Sequence, residues 1–250
     1  MSTIAIEEAG YSFIPAVMQY SAGVAALPGF RMERVRFAEP VAMEEGWRRI
    51  AAYLSAIGRP LTAFAACELR SPAPFTEDGF RSFNQGYARV LGEWGVLRDG
   101  HNPVARSNVC PRVSPPSVPS FHAFAYTVPA DGALPSFVVA GSGESVEGKA
   151  TYRESTIAYG DTSPEGMLEK GRYVLGEMER RMGLLGFGWA GTTGVQAYTV
   201  HPFPTELSEE IVTRGAARHG LTWQDCRPPV EGLEYEMDCR GVMWERVVPG

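Results

Sequence analysis

Lysine is nearly missing from this chain. Of its 23 basic residues only Lys149 and Lys170 are lysines, so Schiff-base chemistry at a lysine amine has few candidates. Cysteine is scarce and scattered: Cys67, Cys110, Cys226 and Cys239 form no C-x-x-C pair and have no histidine at zinc-finger spacing. Reduced thiols, as in a cytoplasmic protein, are the simplest reading. The four histidines, His101, His122, His201 and His219, share no ligand spacing and read as loop or surface residues, so neither a metal nor another cofactor is expected. Long apolar runs are absent too. No stretch reaches the roughly 18 to 20 residues of a membrane span. The N-terminal segment carries Glu7, Glu8 and Pro15 where a signal peptide needs a basic region and an unbroken apolar run, so no membrane partner is expected and the cytoplasm is the expected location.

Positive charge is in short supply overall. The net charge of -6 argues against a nucleic-acid partner, because phosphate binding needs clustered Lys and Arg. The two halves differ: residues 1-130 hold 12 arginines and 11 acids, and residues 131-250 hold 11 bases and 18 acids. A small anionic substrate is better received by the first half. Two further signatures fail on inspection. "GESVEGKA" at 143-150 satisfies G-x-x-x-x-G-K, but Ala150 stands where a phosphate loop needs Ser or Thr, and a β-like run follows instead of a helix. "AGSGE" at 140-144 lacks the x-Ser-x spacing of a nucleophile elbow.

What the chain does have is one pattern written twice, and its 250 residues, 44% hydrophobic, suffice for two modest cores. Residues 43-58 set Trp47, Ile50, Ala51, Leu54 and Ile57 on one helical face and end at Gly58. Residues 163-186 repeat this with Ser163 as N-cap, Pro164 at the first helical position, then Leu168, Leu175, Met178, Met182 and Leu185, ending at Gly186. After each helix come a β-rich run, two prolines and a Thr-Glu helix start, at an offset of about 129 residues. Second helices follow at 76-97, with Phe80, Phe83, Tyr87, Val90 and Trp94 on one face, and at 205-219. Strands are expected at 104-110, 120-128, 221-227 and 232-240, and before each first helix in "FRMERVRF" and "SFVVAGSGE". The unit is β-β-α-β-α-β-β, an α+β arrangement with helices on one face of a mixed sheet, and "VPADGALPS" at 128-136 is the expected junction.

Within the first copy, Pro103 stops a helical stretch and sends the chain into a strand with Arg106 near its mouth. A guanidinium there offers a planar fork for a carboxylate, although a surface arginine paired with a neighbouring acid would look the same.

These motifs together resemble the RidA (YjgF/UK114) family. "QYSAGV" at 19-24 is similar to its Tyr-Ser turn, "FRSFNQGYARVL" at 80-91 to its Asn-x-x-Tyr helix, and "NPVARSNV" at 102-109 to its Pro-x-Arg-Ser strand. The resemblance implies two tandem RidA-like (chorismate-mutase-like) domains, 1-130 and 131-250, each a mixed sheet with two helices on one face, and a homotrimer through sheet packing. It implies an enzyme that hydrolyses enamines or imines of amino acids without a cofactor. Among tandem members of this superfamily it implies a deaminase of the aminomuconate type, releasing ammonia from an unsaturated 2-amino acid; a chorismatase-like lyase and a non-catalytic metabolite-binding protein are the alternatives.

The family's glutamate on the last strand is missing from the first copy, "SFHAFAYTV", and is matched in the second, "GLEYEMDCRG", by Glu236, with Glu234 and Asp238 near. The second copy has "HGLTWQDC" where the arginine strand should be. Asn108 replaces a cysteine common two residues after the arginine, so a thiol role is not implied. One composite cleft would therefore use Arg106 as carboxylate clamp and Glu236 as base, with Tyr20, Asn84, Tyr87 and Glu234 binding substrate. The acid run of the second copy would equally suit the solvent face of an edge strand.

Overall fold

A computed structural model describes residues 2-146 and 151-250. The end of the G-x-x-x-x-G-K string and Lys149 lie outside the described residues. The first half runs β1 (Ile4–Ile6), β2 (Tyr11–Ile14), β3 (Gly23–Ala26), β4 (Phe30–Ala42), α1 (Met43–Ala56), β5 (Phe64–Arg70), α2 (Glu77–Glu93), β6 (Ala105–Pro111) and β7 (Ser120–Pro129). The second runs β8 (Phe137–Gly143), α3 (Tyr152–Ser155), α4 (Pro164–Leu184), β9 (Gly194–Tyr198), α5 (Thr205–Thr213), β10 (Thr222–Gln224), β11 (Cys226–Arg227), β12 (Glu236–Gly241) and β13 (Trp244–Val248).

The helices form where periodicity and caps agree. Ser163 accepts a hydrogen bond from Gly166 N and Thr76 accepts one from Gly79 N, each meeting an otherwise orphaned donor of the first turn. Gly58 and Gly186, at positive φ, follow the ends of α1 and α4. The second Thr-Glu start differs: Thr205 is already helical, Pro204 is the N-cap and no side chain caps the helix. α5 stops at Thr213 rather than near 219, since Gly215 takes φ 120 and a short 3-10 turn follows.

Thirteen strands among the described residues form two mixed sheets, ordered β1-β2-β3-β8-β12-β9-β10 and β11-β6-β5-β7-β4-β13. α4 and α5 cover one face of the first through Val174, Met178, Met182, Leu207 and Ile211. α1 and α2 cover one face of the second, where Trp47 meets Phe121 and Trp94 edge-on at 4.7 and 4.8 Å. The uncovered faces meet each other through a third cluster rich in alanine, Ala65, Ala66, Ala105, Ala125 and Ala140 with Phe13, Val24 and Met32. Small side chains there let the sheets approach closely. The α+β class and the two helix pairs expected from the repeat are both present.

The strands do not keep to one half of the chain each. β1 to β3 pair through β3 with β8 of the second half, whereas β13 runs parallel to β4 and β11 pairs with β6. The run 221-227, expected as one strand, is two: β10 lies in one sheet and β11 in the other, with Asp225 between them. Each half thus closes sheet edges that the other would leave open. Residues 128-136 separate the helix pairs, and strands cross that point in both directions. Among the described residues no helix is long and apolar enough to cross a membrane.

Candidate active site

Arg106 is not a surface residue: it is 3% exposed, on β6 between β5 and β11. Side chains alternate along a strand, so Ser107 turns between the sheets while Arg106 and Asn108 turn the other way, toward α2. There Nη2 of Arg106 donates to Asn84 Oδ1 at 2.7 Å, and its guanidinium lies 4.7 Å from the Tyr87 ring, with Phe83, Tyr20 and Phe80 at 5.6 to 5.8 Å. Four aromatic faces favour the cation without neutralising it. Among the described residues Arg106 Nη1 has no hydrogen-bond partner.

Glu236 opens β12, an interior strand between β8 and β9, so the edge-strand reading of the acid run fails. Met237 packs toward the helices while Glu236 and Asp238 turn between the sheets. Burial pushes the Glu236 carboxyl well above its ordinary range; Asp238 and Glu144 push the same way, and Arg106 and Arg70 oppose them. Among the described residues its carboxyl makes no hydrogen bond. A Cβ at Gly141 on β8 would collide with Glu236 Oε1 and come within 3.1 Å of Ser107 Cα, so only glycine leaves the carboxyl its place. Gly141→Ala is therefore expected to displace Glu236 and lower turnover at least tenfold, at about 1 to 3 kcal/mol of stability from overpacking. Steady-state rates beside a thermal melt would check this, and an unchanged kcat would show that the acid's position is not critical.

Arg106 and Glu236 line the same cavity of about 300 Å³, together with Tyr20 from the β2–β3 loop, Phe80 of α2, Tyr152 of α3 and Leu233. The remaining expected residues are placed differently. Asn84 is fully buried and touches Arg106 rather than the cavity; Tyr87 lies behind the guanidinium, its hydroxyl 3.4 Å from Cys67 Sγ. Glu234 is not among the lining residues. Its carboxylate holds His201 Nε2 at 2.7 Å and Arg227 Nη1 at 2.9 Å. Glu144 accepts from the backbone of Glu234 and Tyr235 and lies 3.5 Å from Lys170 Nζ, a buried clamp beneath the cavity wall. Asp238 accepts from Ser107, Gln196 and Tyr198. His122, expected in a loop or at the surface, sits half-buried on β7, where desolvation and Arg70 push it down to about 3.

Among the lining residues that the sequence analysis does not assign to the site, Asn108 and Arg181 carry polar groups of direct chemical interest. Asn108 shares a strand face with Arg106, a period-2 signal that was visible. Arg181 interrupts the apolar stripe of α4 between Met178 and Leu185, and its Nη1 donates to Ala140 O at 3.2 Å. The second half thus brings a cation to the cavity from a helix rather than from the strand equivalent to β6.

An α+β protein whose halves exchange strands around a cavity lined by an arginine of one half and a glutamate of the other is the class that fold and site define. The 2-aminomuconate deaminase CnbZ family model matches residues 3–246. A 2-amino-5-chloromuconate deaminase of Comamonas testosteroni is 51% identical over 241 residues, 96% of each chain. The chain belongs to the 2-aminomuconate deaminase CnbZ family. A crystal structure of a chorismatase superposes with a TM-score of 0.55 at 12% identity, covering 88% of this chain and 77% of that one, a likeness of fold. A YjgF/YER057c/UK114 family member from Mycobacterium tuberculosis covers 43% of this chain and 79% of its own, at 16% identity and a TM-score of 0.29.

Proposed function

We propose that this protein is a hydrolytic deaminase of 2-aminomuconate-type substrates, acting through the enamine and imine forms and releasing ammonia. The observation that carries the reading is that Arg106, from the first half, and Glu236, from the second, face one cavity. Arg106 holds the carboxylate next to the amino-bearing carbon, C2, and Tyr20 orients the chain of the substrate. Asn84 and Tyr87 position Arg106 instead of touching substrate.

Glu236, held protonated by burial, gives its proton to a carbon of the dienamine, which turns C2 into an iminium carbon. Water then attacks C2 and leaves its proton on the Glu236 carboxylate. The restored acid protonates the carbinolamine nitrogen, the C–N bond breaks, and the hydroxyl proton returns to Glu236 as the C2 carbonyl forms. Ammonia leaves and the residue ends as it began. A single proton carrier beside an electrophilic carbon supplies the acid and base steps, while the arginine supplies orientation.

The test is ammonia release from 2-aminomuconate by the purified chain, with chorismate offered in parallel. Turnover of the first alone is expected. Turnover of chorismate with none of the aminomuconate would favour the lyase alternative, and binding without turnover of either would favour a metabolite-binding protein. Four buried free thiols support a cytoplasmic location. The strand β13, which exposes Trp244 and Val247 on a sheet edge, supports assembly into a trimer through its sheets, read by light scattering on the eluting protein.

A further inference from the structure

Asn108 has no part in the chemistry above, yet it is built into the cavity as firmly as Arg106. It is 3% exposed, lines the cavity, and shares a face of β6 with Arg106 two residues away. Its orientation is set from behind. Ser71, fully buried at the end of β5, donates from Oγ to Asn108 Oδ1 at 2.9 Å, and Ser71 is itself tied by its backbone N–H to Val109 O at 2.9 Å. With its oxygen engaged, the amide turns its NH2 group away from Ser71. Among the described residues Asn108 Nδ2 has no hydrogen-bond partner, and neither does Arg106 Nη1. Buried donors are nearly always satisfied, and an unmet one is costly, so two of them on one strand face, both lining a cavity, describe a place for an oxygen acceptor.

We propose that Asn108 Nδ2 and Arg106 Nη1 together hold one substrate carboxylate, one oxygen each. The arginine supplies charge and the amide supplies direction. Arg106 Nη2 already gives a hydrogen to Asn84, so the clamp is a charged donor and a neutral donor rather than a guanidinium fork alone. A fixed neutral donor beside the cation specifies the plane of the carboxylate, which a monodentate cation would leave free. Asn108 is therefore a specificity-determining residue for a planar carboxylate. That this carboxylate is the one adjacent to C2 rests on the deaminase reading; that the subsite takes a carboxylate does not.

Titration calorimetry with cis,cis-muconate, which carries the carboxylates and has no amine to lose, reads binding without turnover. Asn108→Ala is expected to weaken it about tenfold, the loss of one hydrogen bond to a charged acceptor. Asn108→Asp keeps the shape, removes the donor and adds a charge of the wrong sign, and a loss of at least a hundredfold is expected. Ser71→Ala, which frees the amide to rotate, is expected to cost a few-fold and serves if the Asn108 variants do not fold. With 2-aminomuconate kcat/KM should fall alongside the affinity, because a carboxylate that loses its fixed plane also misplaces C2. Wild-type affinity for muconate in Asn108→Asp would overturn the proposal, as would wild-type affinity in Ser71→Ala where that variant alone folds. Wild-type protein that binds muconate but releases no ammonia would overturn the deaminase reading and leave this subsite standing.

Discussion

Glu236→Gln is expected to bind substrate and scarcely turn it over. Glutamine keeps the size and the hydrogen-bonding reach of the side chain in the space left by Gly141 and carries no transferable proton. Loss of a general acid-base group typically costs a hundredfold to ten-thousandfold, so kcat should fall by at least about a hundredfold with KM little changed. Folding should not suffer. Burial holds this carboxyl neutral to higher pH than an exposed one, so ionising it costs stability: the loss begins as pH rises past the unfolded-state value and is complete above the raised folded one. A neutral amide removes that loss, and the variant should be at least as stable as the parent on the alkaline side. The alkaline limb of the parent's rate profile should likewise report the ionisation of Glu236 and vanish in the variant's residual activity. Rapid-mixing ammonia assays across pH and a parallel set of melts would decide it; turnover like that of the parent would remove Glu236 from the chemistry.

The second large effect is expected at the other wall. Arg106→Lys keeps a positive charge among the four aromatic rings but gives up the planar donor set that reaches Asn84 and the cavity at once. A lysine ammonium can satisfy one of those directions, not both. A fall in kcat/KM of about a hundredfold or more is expected, because misplacing the carboxylate also misplaces C2 relative to Glu236. Stability should change by only about 1 kcal/mol, since the cation-aromatic contacts persist in part. If rates with 2-aminomuconate stay at the parent level, Arg106 is no clamp. Combined with Glu236→Gln, the losses should be strongly non-additive, because either change alone disables one event. Simple addition of the two free-energy losses would mean that the residues serve different steps.

Much of this is legible in the sequence. The helix α4 follows from Ser163, Pro164 and the spacing of its apolar residues because caps and a 3.6-residue period are local physics. The same holds for α1 and α2. Arg106 stands out because a proline break before a strand is likewise local, and the strings around Tyr20, Asn84 and Glu236 are short enough to be read one at a time. A motif names a residue type and not the neighbour it reaches, and the neighbour that Asn84 reaches is Arg106.

What the chain alone determined is therefore the list of parts: two helix pairs, β-rich runs between them, an arginine in one half and a glutamate in the other. Only the tertiary structure decided how they meet. Strand partners depend on contacts between residues far apart in sequence, so nothing local to 4-26 or 244-248 says that these strands serve the other half's sheet. Nothing local to 234-238 says which of three acids faces a cavity: Glu234 is claimed by His201 and Arg227, Asp238 by Ser107, Gln196 and Tyr198, and Glu236 is left beside a glycine. Burial then separates these chemically similar carboxyls, because the free energy of a charge is set by the solvent and partners around it and not by its own covalent structure.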